Sequence, residues 1–313
     1  MHGVVVAHRD AVVAEYYGVD EDYTWGASLG RVTFTPDTLH DIRSVTKSMV
    51  ALLYGIALDR GQVPAPHEPL LRYFPEYPDL ADDPRRATRT VEHALTMTLA
   101  IEWDETIPYT TMANSEIAME RAADRHRFIL ERPVAGEPGR VWSYCGGASA
   151  LLGRLISKGT GQRLQDFASS ALFRPLGIDR FEWMAGLDGV VSAASGLRLT
   201  PRALASVGQL ILDQGRDIVS AAWVDAMLRP RVRVDDQRMY GYQWHLGTDA
   251  RPHPWVAAMG NGGQRLFVLP DIDLAVAITA GRYDTTDQSI TPDAVLAEVL
   301  AGVATAGLSR PGR

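Results

Sequence analysis

The runs that read as strands lie at the two ends of this chain. "GVVVAH" and "AVVAEYYG" flank the turn "RDA" near the start, and "YGYQWHLG", "QRLFVLP" and "DLAVAITAGRY" fill the last third. Short runs rich in β-branched and aromatic residues, bounded by turn residues, read as strands, and the first two read as a hairpin. The middle shows little alternation. "SALLGRLISKGTG" and "LQDFASSALF" read as helices among Pro-marked loops such as "PAPHEPLLRYFPEYP". Strands at both ends of a helical middle imply one α/β domain built from both termini, with a second domain inserted. The expected class is α/β (α+β), an antiparallel sheet flanked by helices. Residues 1–62 and 191–313 are expected to form the discontinuous domain and residues 63–190 the helical one, with any functional site expected between them.

Composition narrows the class of function. A chain of 313 residues with 46% hydrophobic and 22% charged residues suits a soluble protein of two domains. The net charge of -7 gives no electrostatic reason to expect a nucleic-acid partner. Cys145 is the single cysteine, so no internal disulfide is expected, and a reducing, cytoplasmic location fits. No charged segment leading into an apolar leader opens the sequence, and no run of about 18 apolar residues suggests a membrane span.

The stretch "DIRSVTKSMVALLYGIALDRG", residues 41 to 61, reads as a helix. Met49, Leu52, Leu53, Ile56 and Ala57 recur at 3–4 spacing, and Gly61 supplies a stop. A further helix, "LTPRALASVGQLILDQG", has Thr200 as N-cap, Pro201 at the first position and Gly215 as stop. "PDAVLAEVLAGVATAG" closes the chain as another helix, and the Gly- and Thr-rich segment before residue 40 reads as a loop. Of 31 Lys plus Arg, only Lys47 and Lys158 are lysines. Ser44 and Lys47 stand three residues apart, on one face of a helix. A serine hydroxyl is a poor nucleophile unless a base takes its proton. A lysine can be that base, whereas an arginine stays protonated. Ser44 and Lys47 are therefore candidates for nucleophile and base, against the alternative of a surface lysine one turn into a helix.

The order "SVTK", "VEHALTMTLAIEW", "WSYCGGASALLGRLI", "GNGGQRLFVLPDIDLAVAITAGRY" resembles the serine β-lactamase and penicillin-binding protein superfamily. The resemblance is closest to its class C-like branch of esterases and 6-aminohexanoate-dimer hydrolases, and runs from about residue 2 to residue 300. It implies a Ser nucleophile and a Lys, which fall on Ser44 and Lys47. It implies a second-motif Tyr, which falls on Tyr144, before Leu151, Leu152 and Gly153. It implies a third motif on a strand lining the site, at Asn261, Gly262 and Gly263, whose glycines let substrate approach closely. The backbone N–H groups of Ser44 and Gln264 would form the oxyanion hole. Tyr144 and Lys47 would act as a coupled pair that carries the proton to the leaving group. Trp103, Tyr109 and Tyr240 are weaker candidates for the pocket wall, with core packing as the competing role.

The pattern also breaks. The second motif, usually Tyr-x-Asn, reads Tyr144-Cys145-Gly146, so the amide side chain is missing. Asn261 replaces the lysine of Lys-Thr-Gly, and Arg265, on a strand, is expected to point away. Both changes favour an esterase or amidase over a dedicated β-lactamase. "GASLG" at residues 26 to 30 matches a nucleophile elbow without a strand before it or a helix after it, so Ser28 is rejected. The eight histidines show no ligand spacing, so neither metal nor cofactor is expected, and His93 reads as a structural hydrogen-bonding residue. The reading is a serine hydrolase acting through an acyl-enzyme on small esters or amides. An acyltransferase, a true β-lactamase or D-peptidase, and a catalytically dead binding module are the alternatives.

Overall fold

The computed structural model describes residues 1–25, 27–249 and 251–305. The N-terminal hairpin forms as expected, β1 (Gly3–His8) pairing antiparallel with β2 (Ala11–Tyr17). The segment read as a loop is a second hairpin, β3 (Val19–Thr24) with β4 (Ala27–Thr33). Its residues are mostly exposed, so it carries no apolar alternation for a sequence reading to find. A short strand, β5 (His40–Asp41), pairs with β7 (Leu197–Leu199), which also pairs with β6 (Glu182–Trp183). Late strands are β8 (Val232–Arg233), β9 (Arg238–Tyr240), β10 (His245–Gly247), β11 (Val256–Gly260), β12 (Gln264–Leu269) and β13 (Leu274–Thr279).

One eight-stranded sheet runs β2-β1-β13-β12-β11-β10-β9-β8, so its strands come from both ends of the chain. Its pairings are antiparallel, β1 lying against β13 with Val5 opposite Ala277. Side chains alternate across a strand, and both faces here are covered. Val5, Leu266, Val268, Ala275 and Ala277 face the main core, while Val6, Phe267, Leu269, Val276 and Ile278 face a second core that includes Leu296 and Val303. The helix Ile290–Thr305 supplies the last two residues. Burial on both faces is why β12 and β13 read as continuous apolar runs. On the main-core face, Gly208 of the helix Pro201–Leu212 lies against the sheet, where a Cβ would come 2.7 Å from that of Ala275. The Thr200 side chain caps this helix by accepting from Ala203 N–H (3.1 Å), with Pro201 at its first position.

The helix α1 (Val45–Asp59) is buried on every side from Val45 to Ala57. A helix apolar all round belongs in the middle of a fold, and α1 lies within the main core, against the helix Gly146–Thr160 and near β11 and β12. Residues 63–190 hold the short helices of the middle and little strand. Among the described residues, no helix is long and apolar enough to cross a membrane.

Candidate active site

The chain turns sharply between β5 and α1. Ile42 is fully buried, and its N–H donates to the Leu197 carbonyl (3.0 Å). Arg43 takes φ +51°, a left-handed conformation uncommon outside glycine. Its N–H donates to Asp41 Oδ1 (2.9 Å), and its guanidinium lies 4.5 Å from the centre of the Tyr283 ring. The turn leaves Ser44 at the N-cap of α1, with no hydrogen bond from its side chain to the first helical turn. The hydroxyl therefore stays available for chemistry, at the positive end of the helix dipole.

Lys47 stands one turn on, with 2% of its surface exposed. Its Nζ donates to Ser44 Oγ (3.1 Å), Glu116 Oε2 (3.2 Å) and the Ala194 carbonyl (2.8 Å). Three acceptors use all three ammonium protons. Burial works against the charge, but the fields of Glu116, Tyr144 and Glu105 outweigh it and move the Lys47 pKa upward. Resting Lys47 is thus a cation, and loses a proton only to a neighbour that can accept it.

Two glutamates complete the site, and sequence reasoning found neither. Glu116 lies in the first turn of the helix Ser115–Glu120, whose cap Asn114 accepts from the N–H groups of Glu116 (3.0 Å) and Ile117 (3.3 Å). Glu116 Oε1 accepts from Ser195 Oγ (2.8 Å). Burial raises its pKa, but Lys47 and Ser195 more than reverse that and keep it ionised. Glu105 accepts from Trp103 Nε1, from Gly146 N–H and from the Tyr109 hydroxyl (2.9 Å). Burial first, and the nearby Glu116 charge second, push its pKa up to about 7. A Cβ on Gly146 would lie 2.4 Å from Glu116 Oε2. The space left by the missing second-motif side chain therefore holds the Glu116 carboxylate. A motif position emptied to glycine inside a buried site was the one available signal that another side chain fills it.

Tyr144 leads into the helix Gly146–Thr160. Lys47 Nζ lies 4.9 Å from its ring centre, and its hydroxyl interacts with both Ser44 and Lys47. Burial raises the Tyr144 pKa and the Lys47 charge only partly offsets this, so the phenol is protonated at rest. Cys145 is buried as the N-cap residue, and burial pushes its thiol pKa up, so it is an inert small side chain. His93 Nδ1 accepts from Thr90 N–H (3.0 Å) in a capping box, a structural role. Ser28 lies exposed on β4, away from Lys47, with its Oγ accepting from Gly30 N–H (3.1 Å).

Two clefts open at Ser44. The larger, about 840 Å³, includes Arg43, Tyr109, Glu116, Glu120 and Tyr283 in its lining. The smaller, about 460 Å³, includes Glu105, Trp142, Tyr144, Arg238 and Arg265. Ser44, Tyr109, Asn261 and Asp284 line both. Of the aromatic candidates, Tyr109 lines these two clefts, and Trp103 and Tyr240 line neither. Trp103 packs under the helix Gly146–Thr160, close to Gly147 and edge-on to Phe128. Tyr240 is 1% exposed, behind Trp142 and His245, and Trp142 takes the wall position instead.

The third motif is not on a strand. Asn261, Gly262 and Gly263 form the turn between β11 and β12, with φ +85° at Gly262 and +90° at Gly263. The room beside these glycines belongs to the chain itself. A Cβ on Gly262 would meet the Tyr283 ring at 2.4 Å, and one on Gly263 the Gln288 carbonyl at 2.9 Å. Asn261 Nδ2 donates to Asp284 Oδ1 (2.6 Å), and its Oδ1 accepts from Asp284 N–H (2.9 Å). Gln264 is wholly buried opposite Gly260, its side chain bonded to Ala280. Arg265 does not point away. It lines the smaller cleft, donating to the carbonyls of Gly260 (3.0 Å) and Gln264 (2.8 Å) and to Ser289 Oγ (2.7 Å). A tight turn swings the strand's first residues toward the site, which simple alternation along the strand does not capture.

Comparison with known proteins adds an independent line. A family model described as Beta-lactamase matches residues 2–300. The 6-aminohexanoate-dimer hydrolase of Paenarthrobacter ureafaciens is 26% identical over 299 residues, covering 87% of this chain and 70% of that protein. Among solved structures, a candidate 6-aminohexanoate-dimer hydrolase from Bacillus anthracis superposes with TM-score 0.80 at 16% identity, over 97% of this chain and 80% of that one. The D-amino acid amidase of Ochrobactrum anthropi, solved with L-phenylalanine amide, gives TM-score 0.71 at 17% identity, over 97% and 93%.

Proposed function

Because the chain belongs to the beta-lactamase family, we propose that it is a serine hydrolase that cleaves small amides or esters through an acyl-enzyme on Ser44. The observation that carries the reading is the 3.1 Å bond from Lys47 Nζ to Ser44 Oγ where the two clefts meet. Lys47 is cationic at rest, so it takes the serine proton only after passing one to Glu116, 3.2 Å away. That exchange turns an ammonium and a carboxylate into a neutral pair; burial disfavours both charges, but their attraction keeps them ionised at rest, so the neutral pair is a transient of the attack. An arginine cannot take part, which accounts for a lysine at this position. Ser44 attacks the carbonyl carbon as its proton moves to Lys47. The oxyanion is held at the start of α1 and by the Gln264 N–H. Tyr144, bonded to the Lys47 side, donates the proton that lets the alcohol or amine leave, and is reprotonated from Lys47. Water then releases the acid by the reverse route.

The relatives bear on substrate. One is named for the 6-aminohexanoate dimer, and another, which shares this fold, for D-amino acid amides. Arg265 is tied to three protein acceptors, which weakens it as a receptor for a β-lactam carboxylate. Short-chain p-nitrophenyl esters and small linear amides are therefore expected to react faster than nitrocefin. The test is kcat/KM for p-nitrophenyl acetate, butyrate and nitrocefin, with intact mass after a fluorophosphonate. Ser44→Ala is expected to abolish labelling and turnover. Normal labelling of that variant refutes Ser44, and a nitrocefin kcat/KM above every ester makes β-lactam hydrolysis the lead.

A further inference from the structure

Two histidines and an aspartate, distant in sequence, meet behind the larger cleft. His2 precedes β1, Asp22 lies in β3 and His40 in β5, and all three are buried. His2 Nδ1 lies 2.7 Å from His40 Nε2, although 38 residues separate them. Asp22 Oδ1 is 3.7 Å from the first nitrogen and 3.6 Å from the second. A triangle with these three sides has a centre about 2.0 Å from every corner, the usual zinc–nitrogen and zinc–oxygen bond length.

Protons alone do not satisfy this cluster. His40 Nδ1 lies 3.0 Å from the Asp41 carbonyl, which only accepts, so the proton is on Nδ1 and Nε2 presents a lone pair. Suppose His2 Nδ1 donates to it. Then His2 Nε2 is an acceptor, yet it is buried without a partner. It also stands on the side of the Glu21 carbonyl, since a point beside Gly281 is 2.5 Å from Nε2 and 3.1 Å from that oxygen. Suppose instead that the proton is on Nε2. Then two ring lone pairs oppose each other at 2.7 Å. An imidazolium would resolve both only by placing a further charge among three buried groups.

We propose that His2 Nδ1, Asp22 Oδ1 and His40 Nε2 form a binding site for a divalent transition-metal ion, zinc by its mixed nitrogen and oxygen donors. The ion takes the two facing lone pairs, leaving N–H groups on the sides toward the Glu21 and Asp41 carbonyls. The Tyr283 hydroxyl donates to Asp22 Oδ1 (2.9 Å). Imidazole ligands backed by carbonyls, and a carboxylate ligand held by a hydrogen bond, are the usual outer partners of a metal site. Short histidine spacing gives no hint of it because each ligand comes from a different segment. The ion would tie the start of β1 and the β3–β4 hairpin to β5, the strand that leads to the nucleophile.

The experiment uses the full chain without a tag, made in zinc-supplemented medium, desalted, and its metal counted by plasma mass spectrometry. About one zinc per chain is expected for wild type and less than a tenth of that for Asp22→Asn and His40→Ala. A second measurement needs no variant. Wild type is unfolded with a chelator and refolded with Co²⁺, and the visible absorption of protein-bound cobalt is expected at one equivalent. Zinc retained at the wild-type level in both variants places the ion elsewhere and overturns the proposal. So does a wild-type chain that carries no zinc and gives no cobalt absorption, which would make the cluster a hydrogen-bonded one only.

Discussion

The protein's two lysines each pair with a glutamate, in opposite surroundings. Lys158 Nζ lies 2.8 Å from Glu76 Oε2, with the side chains 30% and 33% exposed. Lys47 Nζ lies 3.2 Å from Glu116 Oε2, with 2% and 4% exposed. The shorter pair is the weaker one. An exposed ion pair is screened by water and contributes about 0–1 kcal/mol. A buried pair is not screened, and removing one partner costs about 3–5 kcal/mol because the other charge is left without water or partner. Burial also narrows what the inner pair can do: a proton leaving Lys47 has only the groups packed around it as acceptors.

The sharpest break of this comparison is Lys47→Arg beside Lys158→Arg. The first should lower kcat/KM by about 10²–10⁴-fold, the range of lost general-base catalysis, and the second should leave it unchanged. Near-wild-type turnover in Lys47→Arg would show that the site needs only the charge. Next in size is stability. Glu116→Gln should lower the free energy of urea unfolding by about 3–5 kcal/mol, against at most about 1 kcal/mol for Glu76→Gln. Equal losses would erase the contrast. Gly146→Ala comes third. Its new methyl meets Glu116 Oε2 at 2.4 Å and shifts the carboxylate off Lys47, and a displacement near 1 Å is expected to lower kcat by about 10²-fold with the fold intact. Unchanged kcat would mean that the carboxylate has room to yield.

The smallest effect concerns pH. Glu105 has its pKa raised to about 7, so the folded chain keeps a proton that the unfolded chain loses from about pH 4.5 upward. Stability from this group is therefore greatest below that window and declines as pH rises toward about 7. The melting-temperature difference between wild type and Glu105→Gln should fall across that interval. Glu76 shows the opposite sign. Burial is the largest single influence and raises its pKa, but Lys158, a backbone hydrogen bond and Arg154 together lower it more, so its contribution is lost as pH falls. Parallel pH slopes for Glu105→Gln and Glu76→Gln would remove the distinction.

The legible parts of the molecule were local. Ser44 and Lys47 are joined by helix periodicity, and Thr200 with Pro201 announces a helix start, so both could be read from neighbouring letters. Tyr144 was legible through the order of motifs, and the sheet through apolar runs at each end of the chain. Glu116 reaches Lys47 across 69 residues, and nothing in "NSEIAME" marks a residue of the site. Glu105 is hidden likewise, in a loop whose carboxylate meets Gly146 only after folding. Tyr240 and Trp142 lie close in space, and which of them faces the cleft is a matter of packing that aromatic character does not decide. Asn261 to Gly263 look like a strand edge because the glycines suggest open space, whereas Tyr283 and Gln288, from a later segment, fill it.

The two clefts differ in size, and under the proposed function a substrate lying across Ser44 would place one half in each. Once its first half has departed, one chamber stands open to solvent while the other still holds the attached half. If the retained half occupies the chamber of about 840 Å³, whatever comes next must fit the one of about 460 Å³. The entrance would then act as a sieve on the second reactant, passing water and a compact alcohol or amine more readily than a bulky one. On the proposed reading, release of the intermediate as an acid or its transfer to another molecule would depend on the dimensions of the vacated room.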